Sequence, residues 1–275
     1  MNNKYPNIKA YLVGLKKKTG LENQLSNIHT LVLGSSHGQY SFVPEKGEYN
    51  LCLPSQDLYY SYSLYKKYAC QLKNLKKIVL FYSVFSRGME LVKTNEDFRC
   101  YHYEKVFGIS PSRTCYSKKI HEKYGCYDNC IESKAQKLRI PKFYRGENPD
   151  VKGLNVYRIG SIDPAVRASA AYKHHQRKII QDKYIIKMMN LARKNNHHIT
   201  LILSPAHRDY KKALPSEREL FADIFSMICT HDNEMLLLDF YNRDDFSDNE
   251  WWDYDHLNPD GAKKFTKIYR SMIEK

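Results

Sequence analysis

The 275-residue chain is predicted to form an α/β fold around a parallel sheet of about five strands. Three observations predict it. Short apolar runs recur along the chain. Segments with helical spacing separate most of them. The runs are apolar throughout rather than alternating, which suits strands covered on both faces.

The first run, "HTLVLGS", reads as a short buried strand. "GEYNLCLPS" (Gly47 to Ser55) reads as a second strand, stopped by Pro54. The next segment repeats Leu58, Tyr62, Tyr65, Tyr68, Ala69 and Leu72 at helical spacing, with Ser55 or Asp57 available as its cap. "KKIVLFYSVF" (Lys76 to Phe85) is a third strand, too apolar to be half exposed. From Arg87 to Asp163 periodicity is lost, yet aromatic residues remain frequent. That segment, 87–163, is expected to be an ordered cap or subdomain inserted into a single domain spanning 1–275.

Order returns at Asp163-Pro164, a cap followed by a first-turn proline. One long helix is expected from there to about Asn196, with Ile179, Ile180, Tyr184, Ile185, Met188, Met189 and Leu191 on its apolar side. "HHITLILSPAH" is a fourth strand and "EMLLLDFYN" a fifth. The helix between them, "PSERELFADIFSMICTH", carries Ser216 and Glu219 at capping-box spacing. A last helix follows Asn258-Pro259.

Forty-four Lys and Arg against thirty Asp and Glu give a net charge of +14. Such a surface attracts polyanions. The basic residues are scattered apart from Lys16-Lys17-Lys18, and no nucleic-acid module accompanies them, so nucleic acid is not the expected partner. No run reaches the roughly 18 apolar residues of a membrane span. A cytoplasmic location is expected, with peripheral association at an inner membrane left open. The seven cysteines are odd in number and are read as reduced thiols. Cys100, Cys115, Cys126 and Cys130, with His102 and His121, raise a zinc reading, but their spacing is not that of a zinc site, and no metal is expected.

In "LVLGSSHGQYSF" a strand runs into a glycine, two serines and a histidine. Ligands of parallel sheets bind at such carboxyl ends. A serine held there is a candidate nucleophile if the chain also supplies a base. The segment "DYDHLNP" supplies one: Asp253 stands three residues before His256, which precedes the last helix. An aspartate on one ring nitrogen leaves the other free to take a proton from a serine. The plainer reading is that Asp255 or Asn258 caps the helix. His37, next to the serine, is a second candidate base, although a sequence neighbour rarely points back at the preceding side chain.

"LGSSHG" followed far downstream by "DYDHLNPDGA" resembles the SGNH (GDSL-like) hydrolase superfamily, in short blocks spread from Leu31 to Phe265. The resemblance implies a flavodoxin-like three-layer sandwich with a long insertion after the third strand. It implies Ser36 as nucleophile, His256 as base and Asp253 as the acid that orients it. Ser35 stands where the family has aspartate. Asn50 matches the family's second block, but Ser55 stands at that block's glycine. The family's oxyanion asparagine is missing from "FYSVFSRG", where Ser83 or Ser86 is the candidate substitute donor. His207 and Arg208 of "SPAHRDY" are expected to line the same crevice and hold an acidic substrate. The implied function is serine-dependent acyl transfer or ester hydrolysis on a carbohydrate, in O-acetylation or deacetylation of a bacterial surface polysaccharide. No permanently bound cofactor is expected, and acetyl-CoA is a candidate acyl donor. The competing reading is an inactive protein of this fold that binds an acidic glycan.

Overall fold

The protein is described by a computed structural model covering residues 8–147, 159–178, 180–230 and 235–273. The chain begins with α1 (Ile8–Glu22), β1 (Thr30–Leu33), α2 (Ser36–Ser41), β2 (Glu48–Asn50), α3 (Leu58–Tyr68) and β3 (Lys77–Tyr82). Three helices follow: α4 (Phe98–Phe107), α5 (Thr114–Tyr124) and α6 (Asp128–Ala135). The remainder is α7 (Pro164–His175), α8 (Lys183–Asn195), β4 (His198–Leu203), α9 (Arg208–Lys212), α10 (Glu217–Leu220), α11 (Ala222–Thr230), β5 (Met235–Asp239) and α12 (Pro259–Ile273).

The five strands form one sheet in the order β2-β1-β3-β4-β5, every pair parallel. Successive side chains on each strand point to opposite faces. Val32, Val79, Phe81, Ile202 and Leu238 meet Phe265 and Tyr269 of α12 on one face. Leu31, Leu33, Ile78, Leu80, Ile199 and Leu201 join the second core with Leu64 and Tyr65 of α3 and Ile185 and Met188 of α8. The result is a flavodoxin-like three-layer sandwich. Its strand order reverses at β1, the switch point where such sheets open a crevice beyond the carboxyl ends.

Several elements differ from the sequence expectation. The second strand is only Glu48–Asn50, although Leu51 and Leu53 still donate to the carbonyls of Val32 and Gly34. The expected long helix is two, α7 and α8. The loop after β3 wedges into the break: Gly88 lies so close that a Cβ there would sit 2.1 Å from the His174 carbonyl oxygen. Arg87 donates to the His175 carbonyl at 3.2 Å and accepts from Gln181 N at 2.7 Å. Ile180 is consequently exposed rather than on an apolar face, and Ile179 lies outside the described residues. The helix before β5 is also two, α10 and α11. Phe221 leaves helical geometry between them and buries its ring against Tyr82 and Tyr241. Ser216 makes no side-chain cap, so the expected capping box is absent.

Helix α1 was not expected. Its buried residues are Tyr11, Gly14, Lys17, Gly20 and Leu21, an inward face in which two glycines and a lysine interrupt the apolar pattern. Lys17, from the Lys16-Lys17-Lys18 run, is fully buried and donates to the carbonyls of Asn50 and Cys52 at 3.0 and 2.8 Å. Burial lowers its pKa to about 8.

The described part of the segment after β3 carries the three helices α4, α5 and α6, and its residues 148–158 lie outside what is described. Helix α4 packs on α1, and Tyr101, Tyr103 and Tyr124 are core residues rather than a displayed surface. Its anchor is the loop after β2: the Leu91 amide donates to Asp57 at 2.9 Å, and the Tyr103 hydroxyl donates to Gln56 at 3.0 Å. Arg87 pairs with Asp223, Arg99 with Glu96 and Lys105 with Asp128, whereas Arg113, Lys118 and Lys119 are exposed. The six described cysteines are free thiols. Cys100 is buried, Cys115 and Cys126 are exposed, and His121 takes the Glu104 carboxylate at 2.7 Å. The Cys130 side chain lies outside what is described. No helix among the described residues is long and apolar enough to cross a membrane.

Candidate active site

The turn after β1 is built by what Gly34 permits. Its φ is +137°, and a Cβ there would lie 2.8 Å from Cβ of Phe81 on the neighbouring strand. The chain then enters α2 at once, with Ser35 as N-cap and Ser36 as the first helical residue. Ser36 is the one residue in Leu31–Phe42 that is not buried. Of this turn's residues, Ser36 alone is partly exposed to solvent. As a first-turn residue, Ser36 has a backbone N–H with no intrahelical acceptor.

The loop before α12 brings the base to it. Asp253 accepts from the backbone amides of Asp255 and His256 at 3.0 and 2.8 Å, which folds the loop around its carboxylate. The same carboxylate lies 2.9 and 3.0 Å from His256 Nδ1. A carboxylate only accepts, so Nδ1 carries the proton and Nε2 presents its lone pair. Nε2 stands 2.8 Å from Ser36 Oγ. Ser36, His256 and Asp253, 220 residues apart along the chain at their widest, form one hydrogen-bonded line. Asn258 caps α12 separately, accepting from the Asp260 and Gly261 amides.

A second line runs beside the first. Asp255 Oδ1 lies 3.3 Å from His256 Nδ1. Its Oδ2 lies 3.3 Å from His37 Nε2. Arg167 of α7 grips both oxygens at 3.0 Å. His37 Nδ1 is 3.0 Å from Ser35 Oγ, so its ring is held by Ser35 and Asp255 and does not serve Ser36. Arg167 went unread in the sequence, because nothing in "PAVRASA" separates it from a surface arginine of an amphipathic helix.

The electrostatics follow from burial and these contacts. Burial alone lowers the pKa of His256, but Asp253 and Asp255 outweigh it, and the group lies above its ordinary 6.5 while Arg167 opposes the rise. Asp255 would be raised by burial, but Arg167 and then the two histidines hold it well below the usual carboxylate range. Burial holds His37 below 6.5, so it is neutral near pH 7. His37, Asp255 and His256 are also the one gathering of potential metal-binding side chains among the described residues. Its groups are already satisfied by Arg167, Asp253, Ser35 and Ser36.

The other expected site residues divide. Ser55 has φ +56°, the left-handed conformation that glycine favours, at the position of the resembled family's glycine. Its hydroxyl donates to Glu96. Asn50 is corrected to a structural role. It is fully buried, its Nδ2 donates to the Gly38 and Phe42 carbonyls at 3.0 and 2.9 Å, and its Oδ1 accepts from the Cys52 amide. The Ser83 hydroxyl is buried against that of Ser204 at 3.0 Å, and Ser86 accepts from the Ser83 amide. His207 is corrected too. It is buried and caps α9, with Nδ1 accepting from the Asp209 amide and Nε2 facing Asp248 at 3.2 Å. Arg208 is exposed and pairs with Asp248 at 2.9 Å.

A protein-family model, for a family of unknown function, matches residues 165–275. The match takes in Arg167, Asp253, Asp255 and His256 and leaves Ser36 outside. No curated protein matches the chain.

Proposed function

We propose that the protein is a serine enzyme of acyl transfer, with Ser36 as nucleophile, His256 as base and Asp253 as orienting acid. One observation carries the reading: the Nε2 of His256, aimed by Asp253 on its other nitrogen, lies within hydrogen-bond distance of the hydroxyl of a half-buried serine at the sheet's switch point. In the first half-reaction Ser36 Oγ attacks the acyl carbonyl while its proton passes to Nε2. The leaving group departs with that proton, and the acyl group stays on Ser36. In the second half-reaction water or a sugar hydroxyl gives its proton to Nε2 and attacks the ester, and Nε2 returns that proton to the departing Ser36 Oγ. The amide of Ser36 and the left-handed backbone at Ser55 suit an oxyanion hole made of main-chain donors, in place of a side-chain amide.

The acceptor proposed is a carbohydrate of the bacterial surface-polysaccharide class, and the donor an acyl ester or acyl-CoA such as acetyl-CoA. The net charge of +14 and the exposed Arg113, Lys118 and Lys119 favour an acidic glycan. The test is to incubate the protein with acetyl-CoA or a small activated acetate ester and follow intact mass. The expected result is an acetyl adduct on Ser36, discharged by an acceptor sugar or by water. A Ser36 that takes no acyl group from any donor would favour a binding protein on an inactive site.

A further inference from the structure

His256 faces two carboxylates, and a base needs only one. Asp253 provides the closer hydrogen bonds and the loop's own fold. Asp255, at 3.3 Å from the same ring nitrogen, adds a second buried negative charge. Left alone, two carboxylates beside one imidazole would favour the imidazolium, which cannot accept a proton from serine. Asp255 is nevertheless needed for another contact. It faces Nε2 of His37, whose other nitrogen meets the Ser35 hydroxyl. That chain pins the turn from which Ser36 projects. Asp255 thus makes a structural contact at a place where its charge acts against the reaction.

We infer that Arg167 is a positioning residue that cancels this charge, so that His256 stays a base near neutral pH while Asp255 continues to anchor His37 and the Ser35–Ser36 turn. The inference rests on the reading of Ser36 and His256 as nucleophile and base. The guanidinium binds Asp255 in the bidentate fork that a lysine cannot reproduce. The groups facing His256 are Asp253 and Asp255 from its own loop, and Ser36, His37 and Tyr40 from α2. Arg167 from α7 acts on His256 through Asp255, and Tyr210 of α9 lies in the field of both members of that pair. Arg167 is the one cation in this set when both histidines are neutral. Its helix is tied to the site by nothing that a sequence pattern would mark.

The test uses two readouts on the full chain. The titration of the His256 imidazole is followed by nitrogen NMR in the resting protein, and labelling of Ser36 by a fluorophosphonate probe is timed across pH. Arg167→Met should move both midpoints upward by about one pH unit or more. Labelling then falls roughly tenfold on the acid limb and recovers toward the wild-type rate at high pH. The double variant Arg167→Met/Asp255→Asn should bring the midpoint back, and Arg167→Lys should move it less than Arg167→Met. A rate reduced by the same factor at every pH, with the imidazole titration unmoved, would overturn the inference in favour of a purely structural pair. Should Arg167→Met fail to fold, Asp255→Asn alone applies the test in reverse: it should lower the His256 midpoint, and an unmoved midpoint overturns the inference. Wild-type Ser36 that never labels would defeat the functional reading instead, while the NMR titration would still decide the role of Arg167.

Discussion

His256, in the loop before α12, and His207, just after β4, share most of their features. Both are buried, both have an aspartate within 3.3 Å of a ring nitrogen, and both precede a helix. Their free valences differ. Asp253 occupies one nitrogen of His256, and the other meets Ser36. The nitrogens of His207 meet the Asp209 amide and Asp248, so no lone pair is left for chemistry. An aspartate beside a histidine does not make a base. What matters is which nitrogen the aspartate takes and what faces the other.

The largest expected effect breaks the comparison at its root. His256→Ala should slow turnover by about three orders of magnitude or more, as loss of a triad base does. His207→Ala should leave the rate within about threefold of wild type and cost about 1–2 kcal/mol of stability through its lost cap and packing. Paired kinetics and denaturant titrations distinguish the two. A comparable loss of rate in both variants would erase the distinction drawn here.

The second effect separates the two carboxylates. Asp253→Asn removes the acceptor that fixes the His256 tautomer and should cost about two to four orders of magnitude in turnover. Asp255→Asn should cost about tenfold or less, since Asp253 remains; this follows from ordinary charge effects near an active site. A larger loss at Asp255 would reverse the assignment of orienting acid.

The third effect concerns pH. His256 works as a base only when neutral, and its folded pKa lies above 6.5 because Asp253 and Asp255 outweigh burial. Turnover should therefore be full at alkaline pH and fall as pH drops through a midpoint above 6.5. His207→Ala should leave that midpoint where it is. A midpoint well below 6.5 would mean that the carboxylates do not act on His256 as the geometry requires.

The smallest effect lies at the periphery. Lys118→Glu/Lys119→Glu should weaken turnover of an acidic glycan by about twofold at low salt and leave a small neutral ester untouched. The difference should vanish as salt rises, because screening acts within about 10 Å at 0.1 M. Identical responses of the two substrates would leave these lysines without a role in substrate choice.

The comparison also separates what a sequence can reveal from what it cannot. The strands were legible because uninterrupted apolar runs such as Ile78–Phe81 have no other comfortable environment. Asp253 and His256 were legible because a local loop joins residues three apart. The serine turn was legible from Gly34-Ser35-Ser36. Helix α1 was not, because its inward stripe includes two glycines and a lysine whose charge is met by the Asn50 and Cys52 carbonyls. Asn50 was singled out by its match to the resembled family's second block and His207 by its place after a strand, yet both bond backbone groups. Polarity at a strand end does not distinguish a group that meets substrate from one that satisfies the main chain. Arg167 was invisible for a related reason: its value lies in a contact across 88 residues, which periodicity does not encode.

The central claim is that Ser36, and no other serine, is activated by His256. Fluorophosphonate labelling followed by peptide mass mapping tests it most directly. The account predicts one adduct, on Ser36, formed rapidly in the wild type, slowed at least a hundredfold in His256→Ala and absent in Ser36→Ala. An adduct on Ser35 or Ser83, or labelling of Ser36 at an unchanged rate in His256→Ala, would contradict it.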